Sequence, residues 1–126
     1  MGFTEAVRSV VVERYADFQG RAPRSEFWWF ALFYMLLSLV IGAVSGLSDV
    51  LGGVLNLVVT LALLVPTIAV SIRRLHDTDR TGWWVLIGLV PLIGTIVLIV
   101  FYVQRGTDGD NRFGPDPLGN VAERFA

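Results

Sequence analysis

Charged and uncharged positions fall along this chain in blocks. Phe27–Ser48, Val50–Ile72 and Gly82–Gln104 run for 22, 23 and 23 residues without a charge. A helix rises about 1.5 Å per residue, and a hydrocarbon core of about 30 Å needs about 20 residues to cross. All three blocks reach that length, and none has the charged face that a long soluble helix keeps. The runs are continuous rather than alternating, and three segments cannot close a barrel. A chain crossing lipid must also satisfy its own backbone, which helices do. The pattern therefore predicts an all-α membrane protein. It reads as a single integral membrane domain over residues 1–126, a small helical bundle of three hydrophobic segments at 27–48, 50–72 and 82–104, with a polar tail at 105–126.

The flanks refine this picture. Twenty-six residues precede the first block, whereas a signal peptide has an apolar region of only about 7–15 residues after a short basic start. Residues 27–48 are therefore expected to span. Within residues 3–19, Phe3, Val7, Val10, Val11, Tyr15 and Phe18 gather on one helical side, with Glu5, Arg8, Ser9 and Glu13 facing away. That pattern predicts an N-terminal amphipathic interfacial helix, lying in the headgroup plane or packed on the end of the bundle. Gly20 and Pro23 then turn the chain into the first span. In the third segment, Pro91 and Gly94 interrupt the run. Proline removes a helical hydrogen bond and clashes with the preceding turn. The expectation is a span kinked at Pro91, with a re-entrant hairpin as the alternative.

With three spans, Arg8, Arg14, Arg21, Arg24, Arg73, Arg74 and Arg80 share one side, against Arg105, Arg112 and Arg124 on the other. Seven against three predicts a cytoplasmic N-terminus for a multi-pass protein. Trp28, Trp29, Trp83 and Trp84 open the first and third segments and are expected to anchor at that same interface.

Composition agrees. The chain is 54% hydrophobic and 17% charged, with a mean hydropathy of +0.63; a soluble domain carries about 25% charge, and a disordered chain more. With no cysteine there is no disulfide framework and no Cys-based metal site. A net charge of −1 argues against nucleic acid as a partner. Every cation is Arg, so each can make planar, bidentate contacts.

The candidate chemistry sits in the polar segments. Arg21 and Arg24 suit phosphate headgroups or carboxylates. The stretch Arg73-Arg74-Leu75-His76-Asp77-Thr78-Asp79-Arg80 holds the single His among three Arg and two Asp. One His without Cys is too few neutral ligands for zinc, so no metal is expected there. The tail's Asp108-Gly109-Asp110 begins like a calcium loop, but Arg112 and Phe113 break the pattern. There is no phosphate-binding glycine loop ending in Lys and no Gly-x-Ser-x-Gly elbow, so no catalytic residue or cofactor is expected. No acid lies inside an apolar run, which weakens a transporter reading. Gly42 and Gly46 form one small-xxx-small pair suited to close helix packing.

Four polar segments in order resemble a known family. They are Gly20-Arg21-x-x-Arg24-Ser25-Glu26-Phe27-Trp28, then Arg73-Arg74-Leu75-His76-Asp77, then Thr81-Gly82-Trp83-Trp84, then Gly109-Asp110-Asn111-Arg112-Phe113-Gly114-Pro115-Asp116-Pro117. Together they resemble the domain of unknown function 805 family. The resemblance implies a small protein of the bacterial inner (plasma) membrane and implies no activity, substrate or catalytic residue.

The expected function is that of a non-enzymatic membrane protein binding lipid headgroups or membrane partners, the latter including further copies of itself. The contacts would come from Arg21, Arg24, Arg73, Arg74, His76, Asp77 and Arg80, with Glu26, Asp77 and Asp79 fixing the guanidinium planes. The alternative is a subunit of a small oligomeric transporter or channel.

Overall fold

The computed structural model describes residues 2–117; positions 118–126 of the expected polar tail lie outside the described residues. Helix α1 (Phe3–Arg8) continues into a π-helical turn at Ser9–Glu13. Helices α2 (Arg24–Leu47) and α3 (Asp49–Asp77) follow, then a 3-10 helix (Gly82–Leu89) and α4 (Ile93–Val103). Among the described residues there is no strand beyond one isolated bridge between Asn111 and Gly114.

Helices α2 and α3 form an antiparallel pair, both long and apolar enough to cross a bilayer. They match the first two expected segments and extend them by a polar turn at the shared end. Only Ser48 separates them. Its hydroxyl accepts from the Leu51 N–H at 3.2 Å, capping α3. Pro66 sits inside α3 and supplies no N–H to the Ala62 carbonyl one turn earlier. The Tyr15 hydroxyl fills that place at 2.5 Å. The N-terminal segment thus repairs the break that a proline makes in the longest helix.

That segment differs from the expected helix over 3–19. It leaves helical geometry after Glu13, and of the two expected settings α1 takes the one packed on the bundle. Phe3 packs edge-on against Trp29 and also touches Phe33, while the Ser9 hydroxyl donates to Glu26 at 2.7 Å. The segment therefore runs antiparallel along the first turns of α2. Ser9, expected to face away, is buried with Ala6 and Val10. The cause is Glu26, a buried carboxylate that needs a donor.

The third segment is a hairpin that folds back on itself at Pro91, not one kinked helix. The 3-10 helix rises about 2.0 Å per residue and α4 about 1.5 Å, so the two arms match at about 16 Å each. Between them, Ile93 N–H bonds to the Pro91 carbonyl at 2.7 Å, with Leu92 at φ 66° and ψ −63°. This is a γ-turn in its strained, positive-φ form. The arms touch closely at Gly94, where a Cβ would fall 1.7 Å from the Ile87 carbonyl oxygen. The first arm begins and the second ends at the Arg73–Asp77 end of α3. Arg105 and Arg112 therefore join the other arginines instead of opposing them.

Candidate functional site

The last turn of α3, the 14–23 loop and the 104–114 stretch converge at one end of the molecule. Arg73 and Arg74 occupy consecutive helical positions, about 100° apart, so they point to different neighbours. Arg73 pairs with Glu26 of α2 and donates from Nε to the Asp17 carbonyl at 3.1 Å. Arg74 pairs with Asp77 at 2.7 Å, one turn along the same helix. Its other N–H groups reach the carbonyls of Ala22, Tyr102 and Gln104.

Arg21 approaches the same carboxylate from the loop. Its Nε donates to Asp77 Oδ1 at 2.9 Å, while Nη1 and Nη2 donate to the Gly109 and Thr107 carbonyls, each at 2.6 Å. Asp77 thus gives one oxygen to each of two guanidinium groups. Its backbone carbonyl accepts from the Thr107 N–H at 2.7 Å. At Gly106 any Cβ would lie 2.1 Å from Asp77 Oδ2, so only glycine admits the tail here.

His76 stacks face to face on Phe113, with ring centroids 4.0 Å apart and planes within 1°. Its Nδ1 donates to the Gly20 carbonyl at 2.9 Å, and its own carbonyl accepts from Asn111 Nδ2 at 2.9 Å. Arg112 lies over the other partner of that stack, 4.9 Å from the Phe113 ring, and pairs with Asp79 at 3.2 Å.

Burial divides the expected contact residues into two groups. Arg21, Arg73, Arg74, His76 and Asp77 are buried, together with Glu26. Arg24 is exposed and Arg80 half-exposed. Arg24 donates to the Val103 carbonyl at 3.3 Å, and Arg80 lies 4.0 Å over the Phe101 ring. Trp28, Trp29, Trp83 and Trp84 stand exposed at this same end, with Trp28 donating to the Tyr102 carbonyl at 3.2 Å. The expectation that acids hold the guanidinium planes is met at Glu26 and Asp77, whereas Asp79 pairs with Arg112, outside the expected set.

The direct contacts expected of Arg21, Arg73 and Arg74 are revised. Their donors are turned inward to carboxylates and main-chain carbonyls, all but Arg73 Nη2, which is buried without an acceptor, because an Arg fork removed from water needs acceptors on every side. The acceptors Tyr102, Gln104, Thr107 and Gly109 had no signal in the sequence, since every residue carries a carbonyl. Phe113 could have been found, as an aromatic within a polar Gly/Asp/Asn stretch. Chemically, the arrangement is a clamp of paired charges and main-chain carbonyls. Among the described residues no three metal-capable side chains meet, and the single His is engaged on its Nδ1 edge and one ring face.

These features define a small all-α membrane protein whose arginines, among the described residues, gather at one end. The chain belongs to the DUF805 family, described as "Protein of unknown function (DUF805)", whose model matches residues 15–115. It is 44% identical over 114 residues to the inner membrane protein YhaH of Escherichia coli (strain K12), covering 85% of this chain and 92% of that one. It is 42% identical over 107 residues to the inner membrane protein YhaI of the same strain, with 85% and 91% covered. The protein YiiR, also of that strain, is 30% identical over 130 residues, with 79% and 85% covered. No solved structure matches the chain.

Proposed function

We propose that this is a non-enzymatic, multi-pass protein of the inner membrane that gathers anionic lipid headgroups around its cytoplasmic end. The carrying observation is the one-sided distribution of charge. All nine arginines among the described residues, from Arg8 to Arg112, belong to segments that meet at one end. The α2–α3 turn at the other end has Asp49 as its only charge. Arginine excess on one side favours the cytoplasm, and the hairpin makes that excess larger than three spans would have. The names of the two most similar relatives described above support the membrane assignment.

In this reading the arginines divide the work. Arg24 and Arg80 keep outward-facing cationic groups beside Trp28 and Trp84, at the level where headgroups lie. Arg21, Arg73, Arg74 and Asp77 hold the surface that presents them, and His76 packs the tail beneath it. Each juxtamembrane cation contributes about 1 kcal/mol of attraction to an anionic leaflet.

The test uses the protein's own tryptophans in bilayers containing brominated lipids. Wild-type fluorescence is expected to be quenched more by brominated anionic lipid than by its zwitterionic counterpart. Arg24→Gln with Arg80→Gln is expected to lower that preference several-fold. Equal quenching by both lipids, or a preference untouched by the double variant, overturns the proposal.

A further inference from the structure

Two turns into α3 an amide stands where none of the described residues reaches it. Asn56 lies about 9 Å from the Val50 end and about 24 Å from the Ile72 end of the uncharged run. It is exposed, and its side chain has no hydrogen-bond partner among the described residues. A short amide that deep in hydrocarbon cannot reach headgroups or water, and leaving it unpaired is costly. The chain's own hairpin cannot cover it, since its arms extend only about 16 Å from the charged end.

Asn56 does not stand alone. At about 100° per residue, Gly53, Asn56, Thr60, Thr67 and Ser71 fall within about 60° of one another on α3. On α2, Ala31, Met35, Ser38, Gly42 and Gly46 follow the same rule within about 80°. The two rows open on the same side. A groove of about 430 Å³ is lined by Ala31 and Met35 from one and by Thr67 and Ser71 from the other. Thr67 Oγ1 is buried there without a partner. Beyond the groove, Ser38, Gly42 and Gly46 are exposed, as are Gly53 and Thr60, and nothing lies within 4 Å of a Cβ built at Gly42, Gly46 or Gly53.

We infer that this face is an interface with a second copy of the same chain, centred on Asn56. The amide is self-complementary, carrying both donor and acceptor. Across a two-fold axis, each copy's Asn56 satisfies the other's, as an isologous contact requires. The small residues flanking it let backbones approach closely, and between membrane helices such packing and polar pairing drive association in place of the hydrophobic effect. A lipid tail could fill the groove but would leave the amide unpaired. The inference is independent of headgroup binding, which concerns the opposite end of α3.

The test uses the full chain, which has no native Cys. In membranes, Thr60→Cys is expected to form disulfide-linked dimers on mild oxidation. Val58→Cys, exposed on the other side of α3, is expected not to. In dilute liposomes, Asn56→Leu is expected to weaken dimerisation about tenfold or more, whereas Asn56→Gln keeps the amide and retains dimers. The cysteine pattern is read in an otherwise unaltered α3, so it decides the matter even if Asn56→Leu accumulates poorly. A monomeric wild type at all densities, equal crosslinking at both cysteines, or full dimerisation of Asn56→Leu overturns the inference. A different protein or a lipid found on this face of a monomer overturns it as well.

Discussion

Asp77 is the residue on which three parts of the chain depend. It accepts from Arg21 and Arg74 through separate oxygens, at 2.9 and 2.7 Å, and its main chain holds Thr107. Removing its charge leaves two buried guanidinium groups without their counter-ion. Such a loss costs about 3–5 kcal/mol. Asp77→Asn, almost unchanged in shape, is therefore expected to lower unfolding stability in detergent by that order. A midpoint unchanged from wild type would show the pair to be dispensable. The sequence made these charges legible as neighbours but not as a closed set. Arg73-Arg74 reads as a pair held by acids and turned toward headgroups or partners, because nothing in a sequence marks which carbonyls will turn toward a guanidinium. Ser9 was misread for a related reason: its burial follows from Glu26, 17 positions away.

The hairpin is the element least determined by pattern. Its 23 uncharged residues satisfy the length of a span, and a length rule cannot distinguish one long helix from two short arms. Pro91 marked the place of the break but not its angle. The reversal depends on Leu92 at φ 66°, which a β-carbon disfavours, and on Gly94 letting the arms touch. By contrast α2 and α3 were legible almost to their ends, because each is one uninterrupted apolar run with a polar stop. The Leu92 strain yields a prediction. Glycine adopts positive φ without that cost, and Leu92 is 73% exposed with little packing to lose. Leu92→Gly is expected to stabilise the hairpin by about 1 kcal/mol, raising the thermal midpoint in detergent by a few degrees. A lower midpoint would mean that the side chain, not the turn, sets the energy.

For the whole molecule, the hairpin decides which ends meet. A third span would have separated the tail from the Arg-His stretch. Instead the tail closes on Arg21, Arg74 and Asp77, so the 14–23 loop and residues 104–117 share one end. Single cysteines at Gln19, Asp110 and Asp49, all at or beside exposed positions, separate these arrangements. Labelling with an impermeant reagent in oriented membranes is expected to group Gln19 with Asp110 and to set Asp49 apart. Asp110 grouping with Asp49 would return the third segment to a span.

Closure of this end also has a history in time. Arg21 emerges from the ribosome early, but Asp77 follows 56 residues later and the carbonyls of Thr107 and Gly109 follow 86 and 88 residues later. At bacterial elongation rates of about 5–20 residues per second, that is a wait of roughly 4–18 seconds. During it the loop's cation must stay at the level of water and headgroups, since the hydrocarbon offers it no acceptor. The later-made segment is thus the latch for the earlier-made one, and a chain truncated before Thr107 should insert its helices yet leave the 14–23 loop open to protease.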